Sequence, residues 1–311
     1  MHRPASGVRS DSAATLETCR SQNVDNRDNT IKSRKREAIS RLARCPRLMV
    51  ALSGGVDSAV LLSLAVEALG PDRVVAVTGR SPSLAAEDLA DAGRIASALA
   101  VRHEVVDTHE LDRPKYRANA GDRCYHCRTE LFEVLERLAS EWGFPAVAYG
   151  AIADDATDRR PGMRAAQERG ILAPLLEAGI GKAGVRTLAA EAGLAVREKP
   201  AAACLASRIP VGSEVTVERL GRIERAERGL RGLGFRQFRV RDHGQVARLE
   251  LDADGQRQIT ESHHKEAAIR VVREAGFRFV TVDLEGYRPG SLDVLPGCAR
   301  DRTGPSREGG Q

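Results

Sequence analysis

The stretch Leu48-Met49-Val50-Ala51-Leu52-Ser53-Gly54-Gly55-Val56-Asp57-Ser58-Ala59-Val60-Leu61-Leu62 decides how this chain is read. Its first part is a short apolar run of the kind that forms a buried strand, and its last part opens a helix. Ser-Gly-Gly stands between them, so backbone N–H groups and a helix N-terminus converge on one point, which binds phosphate. Gly54 and Gly55 let the main chain approach an anion closely, and the Ser53 and Ser58 hydroxyls add donors. Asp57 is placed to cap the helix or to reach a magnesium ion. The loop lacks the lysine of the G-x-x-x-x-G-K-[ST] pattern, so it is a phosphate site of another type.

Working outward, apolar runs at 48–53, 74–79, 103–107 and 146–150 alternate with amphipathic helical patterns at 59–69, 84–99 and 131–142. That rhythm predicts an α/β fold, a parallel doubly wound sheet with crossover helices on both faces. Beyond 198–200 the order changes to helix 217–233, strands 236–241 and 245–251, helix 254–275 and strand 277–283, with Gly234 and Gly276 as helix stops. The expected organisation is a disordered tail over 1–35, a nucleotide-binding domain over 36–198 and a cysteine-bearing connecting loop over 199–211. A smaller α+β substrate or oligomerisation domain over 212–287 and a second disordered tail over 288–311 follow.

With 311 residues, 42% hydrophobic and 29% charged, the chain can bury one large core and a smaller one. No run approaches the roughly 18 apolar residues of a membrane span, and residues 1–36 hold no apolar stretch of the kind a secretory signal uses. A soluble cytoplasmic protein without membrane contact is expected. The net charge of +5 sits partly in the terminal segments and suits an anionic small substrate. Aromatic residues make up only 4%, and no basic stripe interleaved with aromatics is visible, so nucleic acid is not the expected partner.

The six cysteines, at 19, 45, 124, 127, 204 and 298, are too sparse and irregular for a disulfide framework. Cys124 and Cys127 form C-x2-C within RCYHCRTELF, just before a helix, and Cys204 follows in KPAAACLASRIPVG. Three thiolates could share a tetrahedral zinc, with a fourth ligand such as His126, or a [4Fe–4S] cluster with one iron left open. An isolated pair beside an ordinary thiol is the third reading. Lys199, Ser207 and Arg208 surround Cys204 with positive charge that favours a thiolate. Asp154 and Asp155, in a polar loop after a strand, suit magnesium or the nucleotide. Arg239 and Arg241 alternate along a strand and so share a face from which to hold a phosphate or carboxylate; Arg248 and Glu250 alternate likewise. Cys19, Cys45 and Cys298 receive no role.

The hexapeptide at 53–58 resembles the SGGxDS loop of the PP-loop ATP pyrophosphatases, of the adenine nucleotide alpha hydrolase-like type, whose members include GMP and NAD synthetases and tRNA thiolation enzymes. From about residue 40 to 287 the chain further resembles the LarE sulfur transferases. The matching segments are SGGVDS, RCYHC, YGAIADDATDRRPG, APLLEAGIGKAGVR, KPAAACLASRIPVG, ERLGRIERAERGLRGLGFRQFRVRDHG and ARLEL. The resemblance implies ATP with Mg2+, a pyridinium mononucleotide whose ring carboxylate is adenylylated with release of pyrophosphate, and its conversion to a thiocarboxylate for a nickel-pincer cofactor. It implies basic groups near the phosphates at Arg160 and Lys182, and a site role for Glu227 beside Arg239 and Arg241. It implies either that Cys204 gives up its own sulfur, or that Cys124, Cys127 and Cys204 hold a [4Fe–4S] cluster fed by a sulfide donor; the C-x2-C favours the cluster. A homo-oligomer is implied as well. Two other functions compete: a PP-loop tRNA thiolation enzyme, and a non-catalytic ATP-binding sensor.

Overall fold

A computed structural model describes residues 29–157, 161–200 and 203–288. Residues 29–42 form a helix, α1. Strands β1 (Leu48–Ala51), β2 (Val74–Arg80), β3 (Arg102–Asp107) and β4 (Val147–Tyr149) make one sheet in the order β3-β2-β1-β4, and every pair in it is parallel. The crossovers are α2 (Val56–Leu69), α3 (Ala86–Ala98) and, after the short α4 (Pro114–Ala118), α5 (Arg123–Trp142).

Period-two alternation distributes the strand residues over two cores. Leu48 and Val50, Val74 and Ala76, and Ala148 face the side covered by α1, α2, α3 and α8 (Lys182–Glu191). Met49, Val75 and Val77, Val147 and Tyr149 face the opposite side, covered by α5 and α6 (Pro161–Glu168) through Phe132, Leu135, Ala139, Ala165 and Ala166. The predicted doubly wound α/β sheet is therefore present. Leu48, Met49 and Val50 are wholly buried between two neighbouring strands. Burial of each stabilises by about 2 kcal/mol, so the loop that follows β1 springs from a rigid base.

After α7 (Pro174–Glu177) and α8, the chain builds a second sheet from β5 (Phe238–His243), β6 (Val246–Leu251) and β7 (Phe279–Val282), in that order. β5 and β6 are an antiparallel hairpin, and β7 joins β6 in parallel. Helices α9 (Val217–Gly232), α10 (Ala253–Gln258) and α11 (Ser262–Glu274) accompany it. Gly234 (φ 92°) and Gly276 (φ 111°) lie in the left-handed region that ends a helix, as expected. The single helix expected over 254–275 is two helices. Asp252 caps α10 by accepting from the Gly255 N–H at 2.8 Å, and the Thr260 hydroxyl donates to the Arg257 carbonyl at 2.7 Å, which closes that helix locally. Leu205, Ala206 and Ile209, within the cysteine-bearing connecting loop expected over 199–211, belong to the core of this second sheet.

Candidate active site

In an open parallel sheet, ligands bind beyond the carboxyl ends of the strands where the strand order reverses. Here that place lies between β1 and β4, since β2 follows β1 on one side and β4 flanks it on the other. Two loops meet there, residues 52–55 after β1 and 150–157 after β4. Their approach is close enough that a Cβ on Gly150 would stand 2.8 Å from the Ser58 amide nitrogen.

The loop after β1 is shaped from within. Ser58 donates its hydroxyl to the Gly55 carbonyl at 3.0 Å, accepts from the Ser53 N–H at 3.2 Å, and lies 3.1 Å from the Ser53 hydroxyl. Both hydroxyls expected to add ligand donors thus hold the loop's own curve in this structure. Gly54 takes φ +73°, and a Cβ there would meet the Asp88 carbonyl oxygen at 2.1 Å, so no larger residue fits. Gly55 is the N-cap of α2 and offers no side chain, which leaves the first N–H groups of that helix, beginning with Val56, free of a side-chain cap. The Val56 side chain itself is buried in the core.

Asp57 is not the cap of α2; it lies in the first turn and meets Lys182 Nζ at 3.3 Å through both carboxylate oxygens. Lys182 opens α8, and its N–H donates to Asp154 at 2.7 Å, while the Asp155 carboxylate accepts from the Ile152 N–H at 3.0 Å. Burial, and then the charges of Asp155 and Asp154, push Asp57 above the usual carboxylate range against the pull of Lys182. A knot of three carboxylates and one ammonium at a helix N-terminus suits a cation-bound polyphosphate. Arg160 lies outside the described residues.

Cys124 and Cys127 fall inside the opening turns of α5, three residues apart on one helical face, rather than ahead of the helix as expected. Cys204 is exposed and caps the short 3-10 turn Leu205–Arg208. Cys127 is half-buried, and burial followed by the charges of Glu110, Cys204 and Cys124 raises its thiol. Cys127 packs against the core that contains Leu205 and Ala206, the residues that follow Cys204. The three cysteine sulfurs do not form a tight set. Among the described residues, the only group of three or more His, Cys, Asp or Glu ligand atoms all within 4.8 Å of one another is Glu261, His263 and His264. Those three are mostly exposed at the N-terminus of α11, whose dipole repels a cation. His126, considered as a fourth zinc ligand, lies 3.1 Å from Asp122 on its own helix.

The basic surroundings expected around Cys204 are present but neutralised. Lys199 Nζ donates to the Gly54 carbonyl at 3.0 Å and pairs with Asp88 at 2.7 Å and Asp91 at 2.5 Å. Burial works against its charge, but Asp88 and Asp91 outweigh burial and keep it a cation. Arg208 forms a two-pronged pair with Glu227, both bonds 2.9 Å, and donates to the carbonyls of Ala203 and Cys204. Glu227 is therefore buried, not a surface carboxylate of a charged helix. Arg241 is buried as well, donating to the Ser207 carbonyl at 2.8 Å and to Glu250 at 2.8 Å, and Arg248 takes the other oxygen of Glu250 at 3.1 Å. Arg239 is more open than Arg241 and stacks over Tyr287 at 5.2 Å; burial, and then the charges of Arg208 and Arg241, lower its proton affinity. The cysteine segment is further stapled by Leu205 N–H to the Ser83 carbonyl at 2.9 Å, while the Ser83 hydroxyl meets the Tyr116 hydroxyl at 2.5 Å. Sequence reasoning missed Asp88, Asp91 and Ser83 altogether. Acidic residues three apart on a helix look like any solvated face.

Comparison with known proteins agrees with this geometry. The NAD synthase family matches residues 29–126. The chain is 33% identical over 264 residues, 85% of its own length and 95% of the relative's, to the pyridinium-3,5-bisthiocarboxylic acid mononucleotide synthase of Lactiplantibacillus plantarum. It is 43% identical over 247 residues, 79% of its own length and 92% of the relative's, to an uncharacterised protein of Synechocystis sp.. To the NH(3)-dependent NAD(+) synthetase of Hyperthermus butylicus it is 49% identical, but over only 61 residues, 19% of this chain and 22% of that one. The family match contains the phosphate loop, and matches of 247 and 264 residues are long enough to reach both sheets.

Proposed function

The chain belongs to the family of the pyridinium-3,5-bisthiocarboxylic acid mononucleotide synthases, the LarE proteins, and from that premise we propose that it adenylylates a ring carboxylate of a pyridinium-dicarboxylate mononucleotide and replaces the activated oxygen with sulfur. It is an ATP-dependent sulfur-transferring enzyme. The carboxylate oxygen attacks the α-phosphorus and pyrophosphate leaves. A sulfur nucleophile then attacks the acyl carbon, and AMP departs with the original oxygen, leaving a thiocarboxylate. Activation is needed because a free carboxylate has no adequate leaving group.

What supports the reading most is one contact: Lys199, five residues before Cys204, donates to the carbonyl of Gly54 in the phosphate loop. The activating and sulfur-bearing parts of the chain are thereby neighbours. In this reading the first N–H groups of α2 and Lys182 hold the polyphosphate, with Asp57 and Asp155 toward Mg2+. Glu227 holds Arg208 and Arg241 holds Ser207, so the cysteine turn keeps its place, and Arg239 faces an anionic group of the substrate. The assembly is a homo-oligomer in this reading, as the resemblance implies.

In this reading Cys124, Cys127 and Cys204 are the ligands of a [4Fe–4S] cluster, a role their residue types and the C-x2-C spacing support, and not of one zinc ion. Zinc–sulfur bonds of about 2.3 Å need sulfurs within about 4 Å of one another, whereas a polynuclear centre accepts a wider set of three. Held there, such a cluster would supply sulfide to the activated carboxylate. The alternative donor is the sulfur of Cys204 itself: its attack would give a thioester, and loss of the Cys204 α-proton with cleavage of the Cβ–Sγ bond would then release the thiocarboxylate and leave dehydroalanine at position 204.

Anaerobically purified protein given ATP, Mg2+ and the dicarboxylated pyridinium nucleotide is expected to release pyrophosphate and form a product of the mass of the thiocarboxylate; formation of neither overturns the proposal. Iron and sulfide analysis of the same sample decides the donor, since absence of both after reconstitution leaves Cys204 as the source. Lys182→Met is expected to leave stability within about 1 kcal/mol, because its pair with Asp57 is partly exposed. It should reduce kcat/KM for ATP about a hundredfold, as loss of a charge-stabilising group does.

A further inference from the structure

The first turns of α3 are where the nucleotide loop, the cysteine-bearing segment and α9 meet. Lys199 is 17% exposed at its side chain, and its ammonium has three donors matched to three acceptors: the Gly54 carbonyl, Asp88 and Asp91. The Gly54 backbone in turn lies directly against the Asp88 carbonyl. On the other side of the same turn, the Ala86 N–H donates to Glu224 at 2.9 Å and Glu87 pairs with Arg231 at 2.9 Å. Glu224 and Glu227 are successive turns of α9, and Glu227 holds the Arg208 that grips the Ala203 and Cys204 carbonyls. A chain of contacts thus runs from the Gly54 carbonyl through Lys199 to α3, from α3 to α9, and through Glu227 and Arg208 to the Cys204 carbonyl.

We propose that Lys199, anchored by Asp88 and Asp91, is a positioning residue that couples the phosphate loop to the cysteine-bearing segment, so that ATP in the loop sets the placement of Cys204. The inference rests on the reading above of an ATP loop and a sulfur-side cysteine. Its physical basis is the Gly54 carbonyl. A peptide that turns its N–H groups toward a phosphate must also turn its carbonyls, and this one is held by a cation whose other two bonds are fixed to α3. Movement at Gly54 is therefore resisted or relayed by Lys199, in place of being absorbed by a flexible glycine. Lys199 touches no reacting atom in this scheme, which separates it from Lys182 at the opposite lip of the loop.

Hydrogen exchange by mass spectrometry, on the holoenzyme with a saturating non-hydrolysable ATP analogue and Mg2+, tests this. In the wild type the analogue is expected to change exchange in residues 203–215, which contain the Leu205 and Gly212 amides, by at least about fivefold, the lower end of ordinary coupling between sites. Lys199→Met should bind the analogue yet show no change in that peptide. Lys199→Arg, which keeps the charge, should restore part of it. Thiolation at saturating ATP should fall about tenfold in Lys199→Met and recover partly in Lys199→Arg. Asp91→Asn, run alongside, keeps the lysine and loosens one anchor, so the response should shrink even if Lys199→Met fails to fold. A wild type whose peptide ignores the analogue, or a Lys199→Met or Asp91→Asn variant that keeps the full response, overturns the proposal. The exchange readout needs no turnover, so a wild type that forms no thiocarboxylate sinks the function and leaves the coupling result standing.

Discussion

Glu227 shows how a single residue changes meaning between sequence and structure. In a helix as charged as VERLGRIERAERGLRG it reads as surface, and only the resemblance to LarE gave it a role. In the fold it is 3% exposed, paired with an Arg208 that is 4% exposed, and it also accepts from the Val240 N–H at 3.1 Å. Burial opposes its ionisation, but the charge and hydrogen bonds of Arg208 and the Val240 N–H outweigh burial and hold its carboxyl below the usual range. Removing one partner of a buried pair leaves the other charge uncompensated, so Glu227→Gln is expected to cost about 3 kcal/mol in urea unfolding at pH 7. Because the folded-state value is depressed, this stabilisation is complete above the unfolded value near 4.3 and fades as pH falls through the folded one. The gap between wild type and Glu227→Gln should therefore narrow below about pH 4; a gap independent of pH would contradict the assignment. Asp88, Asp91 and Lys199 make the same point, since nothing in their local spacing announces that two acids of one helix hold a lysine, 108 positions beyond Asp91, on the Gly54 carbonyl.

At the scale of elements, the strand, loop and helix over 48–69 were legible because each depends on neighbours in the chain. Apolar residues bury β1, two glycines permit the turn, and helix α2 follows. What the sequence did not show is the contact that makes Gly54 indispensable, the Asp88 carbonyl of the next helix. Gly54→Ala meets both a left-handed φ and a backbone clash, and strain of this kind costs about 1–3 kcal/mol or forces the loop to move. The expected outcome is a folded protein whose melting temperature no longer rises with ATP and Mg2+. A variant stabilised by ATP as the wild type is would show that the loop tolerates a Cβ. Two element boundaries were also misread. α5 begins before Cys124, so the C-x2-C lies on a helix, and α10 is separated from α11 by side-chain bonds to the backbone that outweigh a continuous periodicity.

A seam of polar ties joins the first sheet, with a core on each face, to the core of the second: Lys199 to Asp88 and Asp91, Ala86 to Glu224, Glu87 to Arg231, and Leu205 to Ser83. Among the described residues, no helix is long and apolar enough to cross a membrane. Stability should be uneven across this arrangement. β1 is flanked by strands on both sides and covered on both faces, whereas β7 is an edge strand with Phe279 48% exposed. Amides of β1 should exchange at least about a hundredfold more slowly than those of β7, which hydrogen exchange of the unliganded protein measures; comparable rates would mean that both sheets open as one unit.

By itself the sequence determined the phosphate loop, the parallel sheet beneath it, the break into a second sheet and the three cysteines worth following. Each of these rests on periodicity, on backbone conformation or on residues adjacent in the chain, which local composition controls. The tertiary structure decided the partners of the charges: Lys182 with Asp57, Lys199 with Gly54, Asp88 and Asp91, and Arg208 with Glu227. Coulombic attraction depends on distance in space, and residues 108 or 125 positions apart become neighbours only after the sheet has fixed where their loops emerge. The loop over 53–58 is thus marked by its own sequence, and is tied to Lys199 and α3 only by the fold.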